Sequence, residues 1–199
     1  LHSFPTRRSS DLVQLQINFY QGQHIGQREE QQDALGNLVL SPQHKLYVLA
    51  DGMGGQHGGQ IAGKTVVAAF LGYFQQHGLH EAEQDLRQAL QQANQALADT
   101  LRRQPELEGM GTTVIAVVVD ETDNRYSYIS VGDSPLYSYN QGSLRRINAN
   151  HAFAEDLKSR PTVCRLPCKY RRKSKNAVIP AQAGILVGVR YLLKKQTVA

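Results

Sequence analysis

Asp51 sits in Ala50-Asp51-Gly52-Met53-Gly54-Gly55, directly after the apolar run Leu46-Tyr47-Val48-Leu49. A carboxylate at the last pleat of a buried strand is held rigidly, and the glycines let the backbone turn sharply and bring carbonyl oxygens beside it, which suits a hard divalent cation. Taken alone, an Asp-Gly pair serves equally well to close a hairpin. Three further blocks keep it company along the chain: Gly26-Gln27-Arg28-Glu29-Glu30-Gln31-Gln32-Asp33 upstream, then Gly111-Thr112-Thr113, then Val131-Gly132-Asp133-Ser134. Each has an ordinary reading as well. Arg28 can be a surface ion pair with Glu30, Asp33 a turn residue and Asp133 a hairpin cap. His24, His57 and His151 are possible proton donors, but no spacing singles one out.

Taken together and in this order, the four blocks resemble the metal-dependent protein serine/threonine phosphatases of the PP2C type (the PPM family). The bacterial pattern there runs Gly-x-Arg-x-x-Asn-x-Asp, Asp-Gly-Met-Gly-Gly, Gly-Thr-Thr and Gly-Asp-Ser. The resemblance spans about residues 13–157 and departs at Gln31, where Asn is usual, and at Pro135, where many members carry Arg. It implies that Arg28 clamps the substrate phosphate and that Asp33 is a ligand of one metal. It also makes Asp51 the carboxylate bridging two metals, Gly52 a carbonyl ligand, and Asp133 a ligand of a third, looser ion. In a complete enzyme of this kind two Mn2+ or Mg2+ ions, sometimes three, flank a water and lower its pKa, while the planar arginine fork holds two phosphate oxygens. The implied activity is hydrolysis of phosphoserine and phosphothreonine in proteins, with phosphoprotein substrates of a bacterial Ser/Thr kinase as partners.

These residues need a scaffold. Val13–Tyr20 alternates apolar and polar residues as a half-buried strand does, and Lys45–Ala50 reads as a strand buried on both faces. Ile61, Ala62, Val66, Ala69, Phe70, Tyr73 and Phe74 recur at helical spacing, with His77-Gly78 as a stop. Leu86, Ala89, Leu90, Ala93, Leu97 and Leu101 form the stripe of a second helix that ends before Pro105. Thr112–Val119 is a β-branched strand, Tyr126–Val131 another, and Leu136–Tyr139 and Ser143–Ile147 are joined through the turn signal Asn140-Gln141-Gly142. Strands before and after a helical pair make an α+β layered fold. The resemblance narrows it to a sandwich of two antiparallel sheets flanked by helices, with the metals at one end and the C-terminal part missing.

Charge divides the chain. The formal net charge of +5 suggests a nucleic-acid or membrane partner, yet residues 13–157 carry 9 Lys+Arg against 16 Asp+Glu. The basic surplus lies in residues 158–199, which hold 11 Lys+Arg and no acid. An acidic body suits cation binding and leaves no basic patch for nucleic acid. No apolar run reaches the roughly 20 residues that span a bilayer, and Cys164 and Cys168 are the only cysteines, so a reducing, cytoplasmic setting is expected. Residues 1–12 resemble a translated adapter sequence and are set apart from the fold. Residues 158–199, where the resemblance stops, are expected to form a disordered, non-homologous tail.

That tail bears on activity. Family members continue with two more aspartates, one in a Ser-Asp-Gly turn and one before an Asn, whereas the last aspartate here is Asp156. Impaired hydrolysis is therefore expected, the alternative being a non-catalytic phosphate- or metal-binding remnant or pseudophosphatase.

Overall fold

Val114-Ile115-Ala116-Val117-Val118-Val119 carries no polar alternation, which demands cover on both faces, and the fold supplies it. The computed structural model describes residues 19–23, 25, 30–123, 125–140, 143–151, 177–178 and 183–187. Val114, Ala116 and Val118 join one core cluster with the helices, while Ile115, Val117 and Val119 join a second with Tyr126 and Leu136. Helices thus cover one face of the sheet, and Leu136, where a smaller sheet begins, packs on the other with Ile147 beside it.

The strands are β1 (Asp33–Val39), β2 (His44–Met53), β3 (Gly111–Thr112), β4 (Val114–Asp120), β5 (Arg125–Val131), β6 (Leu136–Asn140), β7 (Ser143–Arg146), β8 (Ala177–Val178) and β9 (Ala183–Val187). The larger sheet runs β1-β2-β4-β5-β8 with β3 paired to β2, the smaller β7-β6-β9, and every pairing is antiparallel. Between β2 and β3 the chain makes two helices, α1 (Gly55–His77) and α2 (Ala82–Arg103). Two antiparallel sheets with helices on one side are the architecture expected from the sequence.

The helices lie close to the sheet because the sequence leaves room for them. A Cβ at Gly36 in β1 would lie 2.5 Å from Val67 Cγ1 of α1, so only glycine lets the helix settle there. At the start of α2 the Glu81 side chain accepts from the backbone N–H groups of Glu83 and Gln84, at 3.3 and 3.0 Å. Asp85, 4% exposed, returns the favour by accepting from His80 N at 2.7 Å and Glu81 N at 2.9 Å. These bonds satisfy donors that every helix start leaves open and fix the corner between the two helices.

One element was not foreseen and one expectation changes. Asp33 opens a seven-residue strand, whose Gly36 and Asn37 hide it from propensity. Residues 158–199 do not all stay apart from the body, since 177–178 pair with β5 and 183–187 pair with β6. The reason is local: Ala177-Val178 and Ile185-Leu186-Val187 are short β-forming pieces, and they fill sheet edges whose N–H and C=O groups would otherwise lack partners. Of the strand expected over Val13–Tyr20, residues 13–18 lie outside the described residues, while Phe19 and Tyr20 are exposed and belong to no strand. Residues 1–12, His24, the two cysteines and the rest of the tail also lie outside the described residues.

Candidate metal centre

Asp33 and Asp51 face one another directly across the β1–β2 ladder. Gly52 N donates to Gln32 O at 3.2 Å, so the neighbouring 33/51 step is a non-hydrogen-bonded one. At such steps the side chains come closest, with Cβ atoms about 4.5–5.5 Å apart. Strand parity sets their direction. Ala34 and Ala50 belong to the helix-facing core, so Asp33 and Asp51 point to the opposite face, on the side of the second sheet.

Two like charges placed directly opposite destabilise a ladder. Moreover, Asp33 Oδ1 is buried and has no hydrogen-bond partner, a condition rare in native proteins that calls for an explanation. A divalent cation between the two carboxylates answers both points, since it neutralises the pair and gives the orphaned oxygen a ligand role. The donor set is all oxygen and suits Mn2+ or Mg2+. Among the described residues, however, no three His, Cys, Asp or Glu gather into one metal-holding group. The pair is what this part of the chain contributes.

The glycines of the loop have separate tasks. A Cβ at Gly52 would lie 2.0 Å from the Gly59 carbonyl oxygen and 2.7 Å from Gln32 O, so the end of β2 presses against the first turns of α1 with no space for a side chain. Gly54 adopts φ 128° as the residue preceding α1, and a Cβ there would lie 2.6 Å from Met110 Cα. Within the first turn of α1, His57 also has a positive φ of 61° and pairs through Nδ1 with Glu30 Oε1 at 2.7 Å. Gln60 Nε2 donates to Gln31 O at 3.3 Å. Helix and β1 entry are stitched together beside the carboxylates.

Thr113 joins this pair to the third acid. Its N–H donates to Asp51 O at 2.9 Å, and its Oγ1 accepts from Asp51 N at 3.1 Å. The hydroxyl thus replaces the carbonyl that a regular ladder would offer, while Thr112 Oγ1 donates to the Thr113 carbonyl at 2.9 Å. Thr113 Oγ1 also lies 2.7 Å from Ser134 Oγ, buried from solvent. Asp133 stands between Gly132 and Ser134 in the turn after β5. Gly132 has φ 99°, and a Cβ there would lie 2.7 Å from Thr113 Cγ2. The Gly-Thr-Thr and Gly-Asp-Ser blocks are therefore in contact, through the residues whose types the spacing singled out.

Of the sequence-derived site residues, Asp33, Asp51 and Gly52 come together on adjacent strands, and Asp133 is tied to Asp51 through Thr113 and Ser134. Arg28 lies outside the described residues. Sequence reasoning missed Asn148, 7% exposed and hydrogen-bonded to the Asp133 turn. A polar residue just after a strand carries no signal that tells it from a solvated one.

An antiparallel α+β sandwich with facing aspartates at one end defines the class, and the family described as protein phosphatase 2C matches residues 21–162; the chain belongs to that family. It is 34% identical over 113 residues to the serine/threonine protein phosphatase PstP of Mycobacterium tuberculosis, covering 57% of this chain and 22% of that protein. The crystal structure of the serine/threonine phosphatase Stp1 from Staphylococcus aureus matches with a TM-score of 0.59 at 32% identity, over 68% of this chain and 53% of that one. A PstP catalytic domain in complex with two manganese ions matches with a TM-score of 0.56 at 27% identity, over 81% of this chain and 68% of that one. The chain spans about a fifth of the length of PstP. Among the described residues no helix is long and apolar enough to cross a membrane.

Proposed function

We propose that this chain is the metal-binding part of a protein serine/threonine phosphatase that hydrolyses phosphoserine and phosphothreonine with Mn2+ or Mg2+. The observation that carries the reading is the facing Asp33/Asp51 pair with its buried, unpartnered Oδ1. Asp33 and Asp51 would hold the ions, Gly52 would add its carbonyl oxygen, and Asp133 would hold a further, weaker ion. The bound ions supply the Lewis acidity that makes a water nucleophilic near neutral pH and offsets charge on the phosphoryl oxygens. Arg28 would orient the phosphate through its fork, leaving the ester oxygen to depart in line. The β1–β2 ladder holds both carboxylates before substrate arrives, so little reorganisation remains for the reaction step.

Phosphoproteins phosphorylated on serine or threonine by a bacterial kinase are the proposed substrates. Because residues 158–199 contain no Asp or Glu, the chain's own metal affinity rests on Asp33, Asp51 and Asp133, and its turnover is expected to be low. A chimera that replaces residues 158–199 with the matching half of a complete relative tests the reading. It should hydrolyse a phosphoserine peptide with Mn2+, and Asp51→Asn should lower that rate by more than about a thousandfold, the scale of several kcal/mol in barrier. A chimera indifferent to Asp51→Asn, or fast Mn2+-dependent turnover by the unaltered chain, overturns it.

A further inference from the structure

We infer that Asn148 is the positioning residue that sets the Gly132–Ser134 turn and, through it, the Asp133 carboxylate; the inference rests on the proposed role of Asp133 as a cation ligand. Asn148 is 7% exposed and uses its whole amide. Its Oδ1 accepts from Leu136 N at 2.8 Å and from Arg146 Nε at 3.1 Å. Its Nδ2 donates to Ser130 Oγ and to Ser134 O, both at 2.8 Å. One planar group thus joins the end of β5, the turn, the start of β6 and the end of β7.

The bonds converge on Asp133 from both sides. Ser134 O is held directly, and Arg146, oriented by Asn148, donates through Nη2 to Asp133 O at 3.0 Å. Pro135 has no N–H to offer, so Leu136 N is the first backbone donor after the turn, and Asn148 takes it. His151 N donates to Gly132 O at 3.1 Å, and Tyr128 Oη donates to Ile147 O at 2.9 Å, which fixes the residue just before Asn148. The turn needs this hold because Gly132 and Asp133 belong to no strand and Gly132 has φ 99°. An amide alone offers an acceptor and two donors in one plane; aspartate cannot donate and leucine can do neither. None of these bonds reaches Asp33 or Asp51, so Asn148 should affect one ion and spare the other.

The test is Mn2+ binding to the full chain, followed by electron paramagnetic resonance of free Mn2+, in the unaltered protein and in Asp133→Ala, Asn148→Ala, Asn148→Asp and Arg146→Ala. Asp133→Ala should lose the weaker ion. Asn148→Ala and Asn148→Asp should weaken that same ion by about 10–100-fold, the usual effect of removing a group that orients a ligand, while the ion that depends on Asp33 binds as before. If Asn148→Ala does not fold, Arg146→Ala decides, because it removes the link to the Asp133 carbonyl and leaves the buried amide in place. A merely structural Asn148 would lower the melting temperature and leave Mn2+ affinity unchanged in every variant that folds. That result, beside a clear loss in Asp133→Ala, overturns the inference alone; no loss in Asp133→Ala overturns both the inference and the cation role of Asp133.

Discussion

The two carboxylate-bearing regions are held by different means. Asp33 and Asp51 are carried by a backbone ladder of seven residue pairs, and α1 closes against its end. Asp133 hangs in a turn fixed by side chains, namely Thr113, Ser134, Arg146 and Asn148. A ladder distributes the task over many interchangeable backbone bonds, whereas a side-chain network concentrates it in a few residues that have no substitutes. The ladder should therefore tolerate most side-chain changes but not a blocked backbone approach, whereas the turn should fail at single side-chain changes as well.

The largest effect is expected where a side chain blocks the ladder's end. Gly52→Ala puts a Cβ 2.0 Å from the Gly59 oxygen, and both partners are backbone, so strand and helix must separate. A loss of about 3 kcal/mol, the upper end for an overpacked site, is expected, read from urea unfolding. Next comes the link between the regions. Thr113→Val keeps the shape but removes the oxygen that accepts from Asp51 N and meets Ser134 Oγ, which should cost about 1–3 kcal/mol for the buried groups left unsatisfied. It should also weaken Mn2+ binding in both regions, whereas Asn148→Ala touches one.

A smaller change, of opposite sign, sharpens the contrast. Asp33→Asn removes one of two facing charges, so in EDTA the protein should gain up to about 1 kcal/mol. With Mn2+ the order should invert, because the native chain is stabilised by its ligand and the variant is not. Melting curves with and without Mn2+ read both.

The smallest effect is alkaline. A hydrogen bond to Glu121 raises the pKa of Lys45, and burial raises those of Tyr47, Tyr73, Tyr126 and Tyr128. Folded values above the unfolded ones mean that the folded chain keeps these protons longer. Their contribution is complete below about pH 10 and fades as pH rises through the folded values. Urea midpoints should fall above about pH 10, and less steeply in Lys45→Met. None of the five shifts is caused by Asp33, Asp51 or Asp133, so the stabilisation conferred by Mn2+ should not follow this slope.

Much of the scaffold was legible because its signals are local. The stripes of α1 and α2 and the β-branched run of β4 each show their period within one window, and the pairing of β6 with β7 follows from their closeness in sequence. β1 was not legible, since its Gly36 answers to Val67, about thirty residues away and on another element. In the site, Asp51 and Gly52 could be read from their glycine setting and Asp33 and Asp133 from a family pattern. Asn148 could not, because its burial depends on three strands arriving around it. The strands at 177–178 and 183–187 were overlooked for a related reason: a few residues suffice when a waiting sheet edge supplies half of the hydrogen bonds.

Among the described residues β1 is the outermost strand of its sheet, while β2 is paired on both sides. The two facing aspartates thus belong to parts of the molecule with different local opening energies, since an edge strand can peel away while the interior remains folded. An ion shared between them works as a clasp on that peeling motion. Its occupancy would be registered first in the hydrogen-exchange protection of residues 33–39, well before any change in global unfolding, and β1 would become a slow strand only when the protein is loaded.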